Sequence, residues 1–170
     1  VRGRNDIQAR LIRTIGHPDD RFAEDKLRML RAIRLACVLG FAIVPETRDA
    51  IQRLAPTILQ VSWERIREEL ARIFSGPAPA AGLDLLRESG LLTHILPEVQ
   101  ALCGIPYSPE ESKDAYTVTR TALAMLRKPS TVLAFGPLAH DAGISAPPPG
   151  NAQPKDTKPT HQGIVIKVSV

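Results

Sequence analysis

The sequence is poor in aromatic residues and cysteine, and it has no long apolar run. Aromatic side chains make up 4% of the 170 residues, so a core must be built mainly from Leu, Ile, Val and Ala. The two cysteines, Cys37 and Cys103, lie far apart without metal-ligand spacing, which favours incidental thiols over a disulfide. No segment has the length of a membrane span or the composition of a leader. These absences predict a cytoplasmic protein of one domain or two small ones.

Positive charge is concentrated in the first part of the chain. Residues 1–75 hold thirteen arginines, one lysine and ten acids, whereas residues 76–170 hold eight basic and eight acidic residues. The net charge of +4 therefore belongs to the first segment. Arginine makes bidentate contacts with phosphates and bases, so one interpretation of this bias is nucleic-acid binding. The other is an ordinary charged surface, and the charge alone leaves both open.

The hydrophobic pattern of the first half predicts an all-α fold after a short strand. Residues 1–16 indicate a turn and then a strand over residues 10–15, the end of a sheet whose other strands are not present. Asp19 or Asp20 is expected to cap a helix that runs to about Leu39, with Gly40 ending it. Pro45 opens a further helix.

The second half continues as helices and ends in a different composition. Ser62 is expected to cap "WERIREELARIF", and "PAPAAG" suggests a joint. Two short helices meeting at Gly90 follow, and then helices over residues 116–126 and 131–140. From Ser145 the chain is proline-rich, which predicts a loop or disorder, and the terminal "IVIKVSV" alternates like a strand without a partner.

The stretch "FAEDKLRMLRAIR" gathers acids and arginines on one face of its predicted helix. Glu24, Arg28 and Arg31 fall at i, i+4 and i+7 with Asp25 beside them. One interpretation is a solvated face with weak i,i+4 pairs. The other is a hydrogen-bonding edge, in which Asp25 accepts from the amino group of adenine or cytosine and Arg28 donates to the neighbouring ring atom. In that arrangement Glu24 would hold the Arg28 fork.

Three ordered motifs resemble the neck of class II CCA-adding enzymes and bacterial poly(A) polymerases. "EDKLRMLR" is similar to the family's nucleotide-templating motif, "VRGRNDI" to its "GGxxDL" element and "VSWERIREEL" to the motif that follows. The resemblance extends over residues 1–100. It implies a helical neck and body, and it implies CTP, ATP and the acceptor end of tRNA as partners.

The resemblance also assigns roles to single residues. Asp25 and Arg28 would pair with the base of CTP or ATP, while Glu24 supports Arg28. Arg31 would reach a phosphate or brace the neck, two alternatives that stay open. Supporting positions in the other two motifs are Gly3, Asp6, Ser62, Glu64 and Arg65.

By the same resemblance the chain divides into four parts. Residues 1–16 would end a nucleotidyltransferase head domain, and residues 17–77 would form the neck that templates nucleotides and binds RNA. Residues 78–127 would form the body, and residues 128–170 a truncated HD-like segment with a proline-rich tail.

Catalytic carboxylates of the family are missing from the chain. Nucleotidyl transfer needs metal ions, here Mg²⁺, held by closely spaced carboxylates, and the family places a DxD in the head domain. No DxD occurs in this sequence. The expectation is therefore a part of a tRNA nucleotidyltransferase that binds nucleotide and RNA and is inactive alone. A non-catalytic RNA-binding module is the alternative.

The distal part resembles an HD domain, and a degenerate metal-dependent phosphohydrolase is a third possibility. His140 and Asp141 match the family's doublet, and His161 is a candidate next ligand. The expected upstream histidine is replaced by Val118 or Thr119. Because two or three ligands hold a metal poorly, a residual HD helix is favoured over a working metal site.

Overall fold

The computed structural model describes residues 2–107, 113–126 and 129–141, and these residues are mostly helical. Their helices are α1 (Arg2–Gln8), α2 (Pro18–Glu24), α3 (Leu27–Leu39), α4 (Pro45–Leu54), α5 (Trp63–Phe74), α6 (Pro79–Glu88), α7 (Leu91–Ile95), α8 (Pro97–Gln100), α9 (Ala115–Met125) and α10 (Thr131–Asp141), with a 3-10 helix at Ala55–Gln60. Two short strands, β1 (Leu11–Ile12) and β2 (Ala42–Ile43), form a parallel sheet. The predicted helical fold class is confirmed.

The N-terminal segment differs from its prediction in two ways. Helix α1 occupies the place where a turn was expected, and β1 is two residues long instead of six. Its partner β2 lies in this same chain, so the expectation that the neighbouring strands are absent is wrong. Arg10, with a φ of 55°, turns the chain out of α1, and its carbonyl accepts a 2.9 Å hydrogen bond from the Ala42 amide.

The long helix predicted to end near Leu39 is two helices. Helix α2 begins at Pro18 with His17 in the N-cap position, so neither Asp19 nor Asp20 is the cap. Proline suits the first helical position because it has no amide hydrogen to leave unpaired. The chain then breaks at residues 25–26 and resumes as α3, which Gly40 ends as predicted, in the left-handed conformation with a φ of 65°.

Helices α4 and α5 lie where the sequence placed them. Pro45 stands at the first turn of α4, and α5 covers "WERIREELARIF". Ser62 occupies the N-cap position of α5 with an extended backbone, but its side chain makes no capping hydrogen bond. The apolar stripe of α5 is buried as its spacing predicts, with Ile73 and Phe74 fully inaccessible.

The later helices follow the prediction with small shifts. The proposed joint "PAPAAG" is partly helical, because α6 begins at Pro79. The chain divides at Gly90 as expected, and it divides again between α7 and α8, since Pro97 cannot continue the preceding helix. Helices α9 and α10 agree with their predicted ranges to within one residue. The proline-rich tail and the terminal "IVIKVSV" lie outside the described residues.

One apolar core joins the described helices. Helix α3 packs against both α5 and α6, and α10 packs against α5 and α9. Leu30, Ile33, Phe74 and Leu83 are among its fully buried side chains. The core is mainly aliphatic, as the low aromatic content predicts, and it holds α3 beside α5 so that the polar sides of these two helices adjoin.

Candidate nucleotide and RNA contact face

The candidate site begins at the break between α2 and α3. Asp25 has an extended backbone, with φ −148° and ψ 105°, and its carboxylate Oδ1 accepts a hydrogen bond from the Leu27 amide at 3.1 Å. The first amides of a helix have no partner inside the helix, so this contact satisfies one of them. Because Asp25 stands outside both helices, the regular wheel that the sequence suggested does not hold across residues 25–26.

Glu24 holds two arginines at the same break. Its Oε2 lies 2.6 Å from Arg28 Nη1, and its Oε1 lies 2.8 Å from Arg21 Nη1. Arg28 Nη1 also donates to the Arg21 carbonyl oxygen at 3.1 Å. The hydrogen bond from Arg28, followed by that from Arg21, lowers the pKa of Glu24 below its usual value. The Arg28 fork is therefore fixed by two acceptors while its side chain stays 40% exposed.

Asp25 is bound by a different set of groups. Arg65 Nη2, from α5, lies 3.2 Å and 3.4 Å from the two carboxylate oxygens, and Arg31 Nη1 lies 3.9 Å from Oδ2. The Asp25 side chain is 24% exposed, so it is half-buried and reachable from solvent. Asp25 and Arg28 thus stand three residues apart on an open surface, each held by its own partners.

A second acid, which the sequence analysis did not single out, lies behind this surface. Glu69 of α5 is 2% exposed, and its carboxylate receives contacts from Arg34, Arg72 and Arg31. The signal was present in the sequence, because Glu69 falls between Ile66 and Ile73 at helical spacing, on the stripe that α5 buries. A charged residue on such a stripe needs counter-charges close by.

The supporting residues of the other motifs lie in two places. Gly3 and Asp6 belong to α1, where Asp6 pairs with Arg13 at 3.4 Å, and a side chain at Gly3 would meet no atom within 4 Å. They line a cleft of about 860 Å³ together with β1 and the start of α4. Glu64 is exposed in the first turn of α5, near the amide end of the helix dipole. Of this group, Arg65 contacts the predicted templating acid.

The candidate metal residues lie at the end of the described residues or outside them. His140 and Asp141 are the last two residues of α10, and His161 lies outside the described residues. Within residues 2–107, 113–126 and 129–141, no three His, Cys, Asp or Glu side chains converge as metal ligands. Thr119, at one of the two positions where the family's histidine was expected, is fully buried.

The described helices are also each too short or too polar to cross a membrane.

Comparison with known proteins agrees with the motif resemblance. Residues 40–103 match the family model described as "Probable RNA and SrmB- binding site of polymerase A". The chain contains the RNA-binding region shared by CCA-adding enzymes and poly(A) polymerases, and it matches CCA enzymes over part of their length.

Individual relatives place this region within longer proteins. The chain is 36% identical to the multifunctional CCA protein of Halorhodospira halophila, over 95% of this chain and 39% of that protein. It is 44% identical over 93 residues to the CCA-adding enzyme of Geobacillus stearothermophilus, over 55% of this chain and 23% of that enzyme. The crystal structure of the Bacillus stearothermophilus CCA-adding enzyme in complex with CTP superposes with a TM-score of 0.62 and 33% identity, covering 84% of this chain and 33% of that one. The chain thus spans less than half of each relative.

Proposed function

We propose that this chain is the nucleotide-selecting and RNA-binding part of an enzyme that adds CCA, or poly(A), to RNA 3′ ends. The observation that carries the proposal is the open surface at the α2–α3 break, where an acceptor and a fixed guanidinium stand three residues apart. Asp25 offers carboxylate oxygens, and Arg28 offers the nitrogens that Glu24 and the Arg21 carbonyl leave available. The solved relative is a complex with CTP, which supports nucleotide binding by an enzyme that contains this region.

The chemistry explains a preference for C and A. Cytosine and adenine each present an amino donor next to a ring acceptor, whereas uracil and guanine reverse that order at the corresponding positions. A carboxylate accepts from the amino group, and a guanidinium donates to the ring nitrogen. One side-chain pair can therefore select both CTP and ATP without a nucleic-acid template. Arg65 contacts Asp25, so an incoming base must compete with it.

Transfer itself is assigned to the rest of the enzyme. The proposed reaction uses Mg²⁺ to neutralise the triphosphate and align the attacking hydroxyl. Because no three ligand-type side chains converge among the described residues, the proposal gives these residues no metal-dependent step. The role proposed for the described residues is to position the base of the nucleotide and to hold the acceptor end of tRNA. The division into end of head, neck, body and HD-like segment, at residues 16, 77 and 127, is part of this proposal.

Substitution of Arg28 tests the templating role. In an intact CCA-adding enzyme that carries this region, Arg28→Ala should reduce discrimination for CTP and ATP over UTP and GTP by about ten- to a hundred-fold, since one bidentate contact supplies about 1–3 kcal/mol. Steady-state incorporation with each nucleotide measures the change. Arg48→Ala is the control, because the Arg48 side chain is 51% exposed and its one ion-pair partner among the described residues is Asp49, at 3.9 Å. Unchanged preference in the Arg28 variant would reject the templating assignment.

A non-catalytic RNA-binding module is the second candidate. The family match to an RNA-binding region and the concentration of thirteen arginines in residues 1–75 favour it. It predicts that the 170-residue chain binds an acceptor-stem RNA with an affinity that falls steeply as salt rises. Fluorescence anisotropy at several salt concentrations measures this. Selective binding of CTP and ATP over UTP and GTP would separate the first candidate from the second.

A further inference from the structure

Glu69 is a buried carboxylate with three arginines around it. Arg34 Nε lies 2.7 Å from Oε2, Arg72 Nη1 lies 3.1 Å from Oε1, and Arg31 Nε lies 3.5 Å from Oε1. Removing a carboxylate from water is costly unless charged donors replace the water, and one such donor is enough to neutralise it. The cluster therefore holds more positive charge than is needed to neutralise Glu69, and its additional donors satisfy the remaining lone pairs of the carboxylate.

The arginines of this cluster keep their outer ends in solvent. The side chains of Arg31, Arg34 and Arg72 are 45%, 25% and 57% exposed, while Glu69 is 2% exposed. Arg31 and Arg34 use Nε toward Glu69, which is the inner nitrogen of the guanidinium. The terminal nitrogens of Arg34 make no hydrogen bond or ion pair with the rest of the described chain. Glu69 thus holds Arg31 and Arg34 by their inner nitrogen and Arg72 by a terminal nitrogen, while all three side chains stay partly exposed.

Charge and donor type identify the ligand that such a surface accepts. Arg31, Arg34, Arg65 and Arg72 face three acids, namely Asp25, Glu69 and a more distant Glu68, 3.8 Å from Arg72. Glu69 has no exposed oxygen to offer, so the solvent-facing groups around it are mainly guanidinium donors, with the Asp25 and Glu68 carboxylates beside them. A nucleobase edge requires both, whereas a phosphate group requires donors only.

We propose that Glu69 is a positioning residue that holds Arg31, Arg34 and Arg72 for contact with phosphate groups, either of the RNA backbone or of the nucleotide triphosphate. The inference rests on the proposed function, since it assigns a phosphate contact to the surface next to Asp25. It also decides between the two roles left open for Arg31. That residue links the two acids, with Nη1 toward Asp25 and Nε toward Glu69, so it both joins the templating acid to the cluster and belongs to the phosphate contact.

The sign of the Glu69→Gln effect provides the main test. This substitution removes one negative charge, so simple long-range electrostatics predicts tighter binding to RNA. The proposal predicts the opposite, because glutamine holds the three arginines less firmly. We expect the affinity of the 170-residue chain for an acceptor-stem RNA to fall about five- to ten-fold, and the slope of log K against log salt to shrink by about 1. Glu68→Gln removes the same charge from an exposed neighbour and should leave binding equal or tighter.

Arg34→Lys provides a test that keeps the charge and does not disturb a buried acid. Lysine can reach Glu69, but its three N–H groups share one nitrogen, so it lacks the separate outer nitrogens with which a planar guanidinium makes a bidentate contact. We expect a loss of RNA affinity of about three- to ten-fold. Arg120→Lys is the matched control, because Arg120 is a similarly ion-paired arginine on α9, bound to Asp84, and should bind RNA like the parent chain. If Glu69→Gln fails to fold, Arg34→Lys decides the proposal.

Each result has a distinct meaning. Parallel titrations with CTP separate the sources of phosphate, since loss of RNA binding alone indicates the backbone and loss of CTP binding alone indicates the triphosphate. If the parent chain binds RNA or CTP but Glu69→Gln and Arg34→Lys bind as tightly as their controls, the positioning role is wrong and the proposed function stands. If the parent chain binds neither RNA nor CTP, the proposed function and this inference fail together.

Discussion

The two halves of the described chain use arginine differently. In residues 2–76 two carboxylates are shared among arginines, since Glu24 holds two guanidinium groups and Glu69 holds three, although Arg53 and Asp19 form a separate pair. In residues 77–141 Asp84 forms a closed pair with Arg120, at 2.8 Å and 2.9 Å, and accepts the Tyr116 hydroxyl. When several arginines share one carboxylate, some of their guanidinium nitrogens are left to bind a ligand. In a one-to-one bidentate pair the arginine uses its donors within the fold. The first pattern suits binding, and the second stabilises packing.

The second half also brings a buried tyrosine, Tyr116, into its polar contacts. The pKa of Tyr116 is raised, first by burial and then by the nearby Asp84 carboxylate, so its hydroxyl remains a hydrogen-bond donor at neutral pH. Arg87 lies 4.7 Å above the Tyr116 ring, in a cation–π contact. These contacts connect α6 with α9 and serve the packing of the chain.

The largest expected effect comes from breaking the core that both halves share. Phe74 of α5 is fully buried and meets Phe135 of α10 edge to face, with ring centres 5.6 Å apart. Phe74→Ala should lower the free energy of unfolding by about 3–5 kcal/mol, because it removes a large side chain and leaves a cavity. Urea unfolding followed by circular dichroism measures it. Phe74→Leu should cost much less, and equal losses for the two variants would argue against cavity formation.

A medium effect is expected where the halves approach most closely. A Cβ at Gly82 of α6 would lie 2.4 Å from Ile73 Cγ2 and 3.5 Å from Cys37 Sγ. Gly82→Ala should therefore destabilise the chain by about 1–3 kcal/mol, although alanine is the better helix former. Gly136→Ala in α10 is the control, because its Cβ would meet nothing within 4 Å. A stabilised Gly82 variant would show that α6 does not pack so closely on α5.

The smallest effect concerns a cap in the second half and its dependence on pH. Asp114 accepts hydrogen bonds from the Thr117 amide at 2.9 Å and the Gly104 amide at 2.9 Å, and it also accepts from the Thr117 hydroxyl. The Gly104 amide, followed by the Thr117 hydroxyl, lowers the pKa of Asp114 below its ordinary 3.8. Asp114→Ala should cost about 1 kcal/mol at neutral pH.

A depressed pKa in the folded state fixes the direction of this dependence. The stabilisation is present above pH 3.8 and is lost as pH falls through the lowered pKa. The difference between the parent chain and Asp114→Ala should therefore shrink between about pH 5 and about pH 2. Urea unfolding over this range tests it, with Asp49→Ala as an exposed control. A difference that stays constant to low pH would mean that the carboxylate charge does not stabilise the cap.

Periodicity predicted the fold where local signals and packing agree. Pro45, Ser62 and the stripe through Ile66 and Ile73 located α4 and α5. The break at Asp25 was missed because the apolar spacing continues through it, and only the competition between helix and capping carboxylate stops the helix there. The β1–β2 pairing was missed because two-residue strands show no alternation.

The sequence predicted which residues form the candidate site but not how these residues are arranged. The motif resemblance supplied Glu24, Asp25, Arg28 and Arg31, and their roles remain predictions. Spacing along one helix cannot show that Arg65 reaches Asp25 across forty positions, since this contact depends on how α3 and α5 pack. The sequence analysis likewise did not single out Glu69, although a charged residue on a buried apolar stripe requires counter-charges nearby.

The triple contact at Glu69 has a consequence for how this surface tolerates change. Loss of any one of Arg31, Arg34 or Arg72 leaves Glu69 with two arginine neighbours. We therefore expect the loss of RNA affinity in a double variant to exceed the sum of the losses in the two single variants. A change at one arginine therefore removes a single contact, while a change at Glu69 acts on all three arginines together.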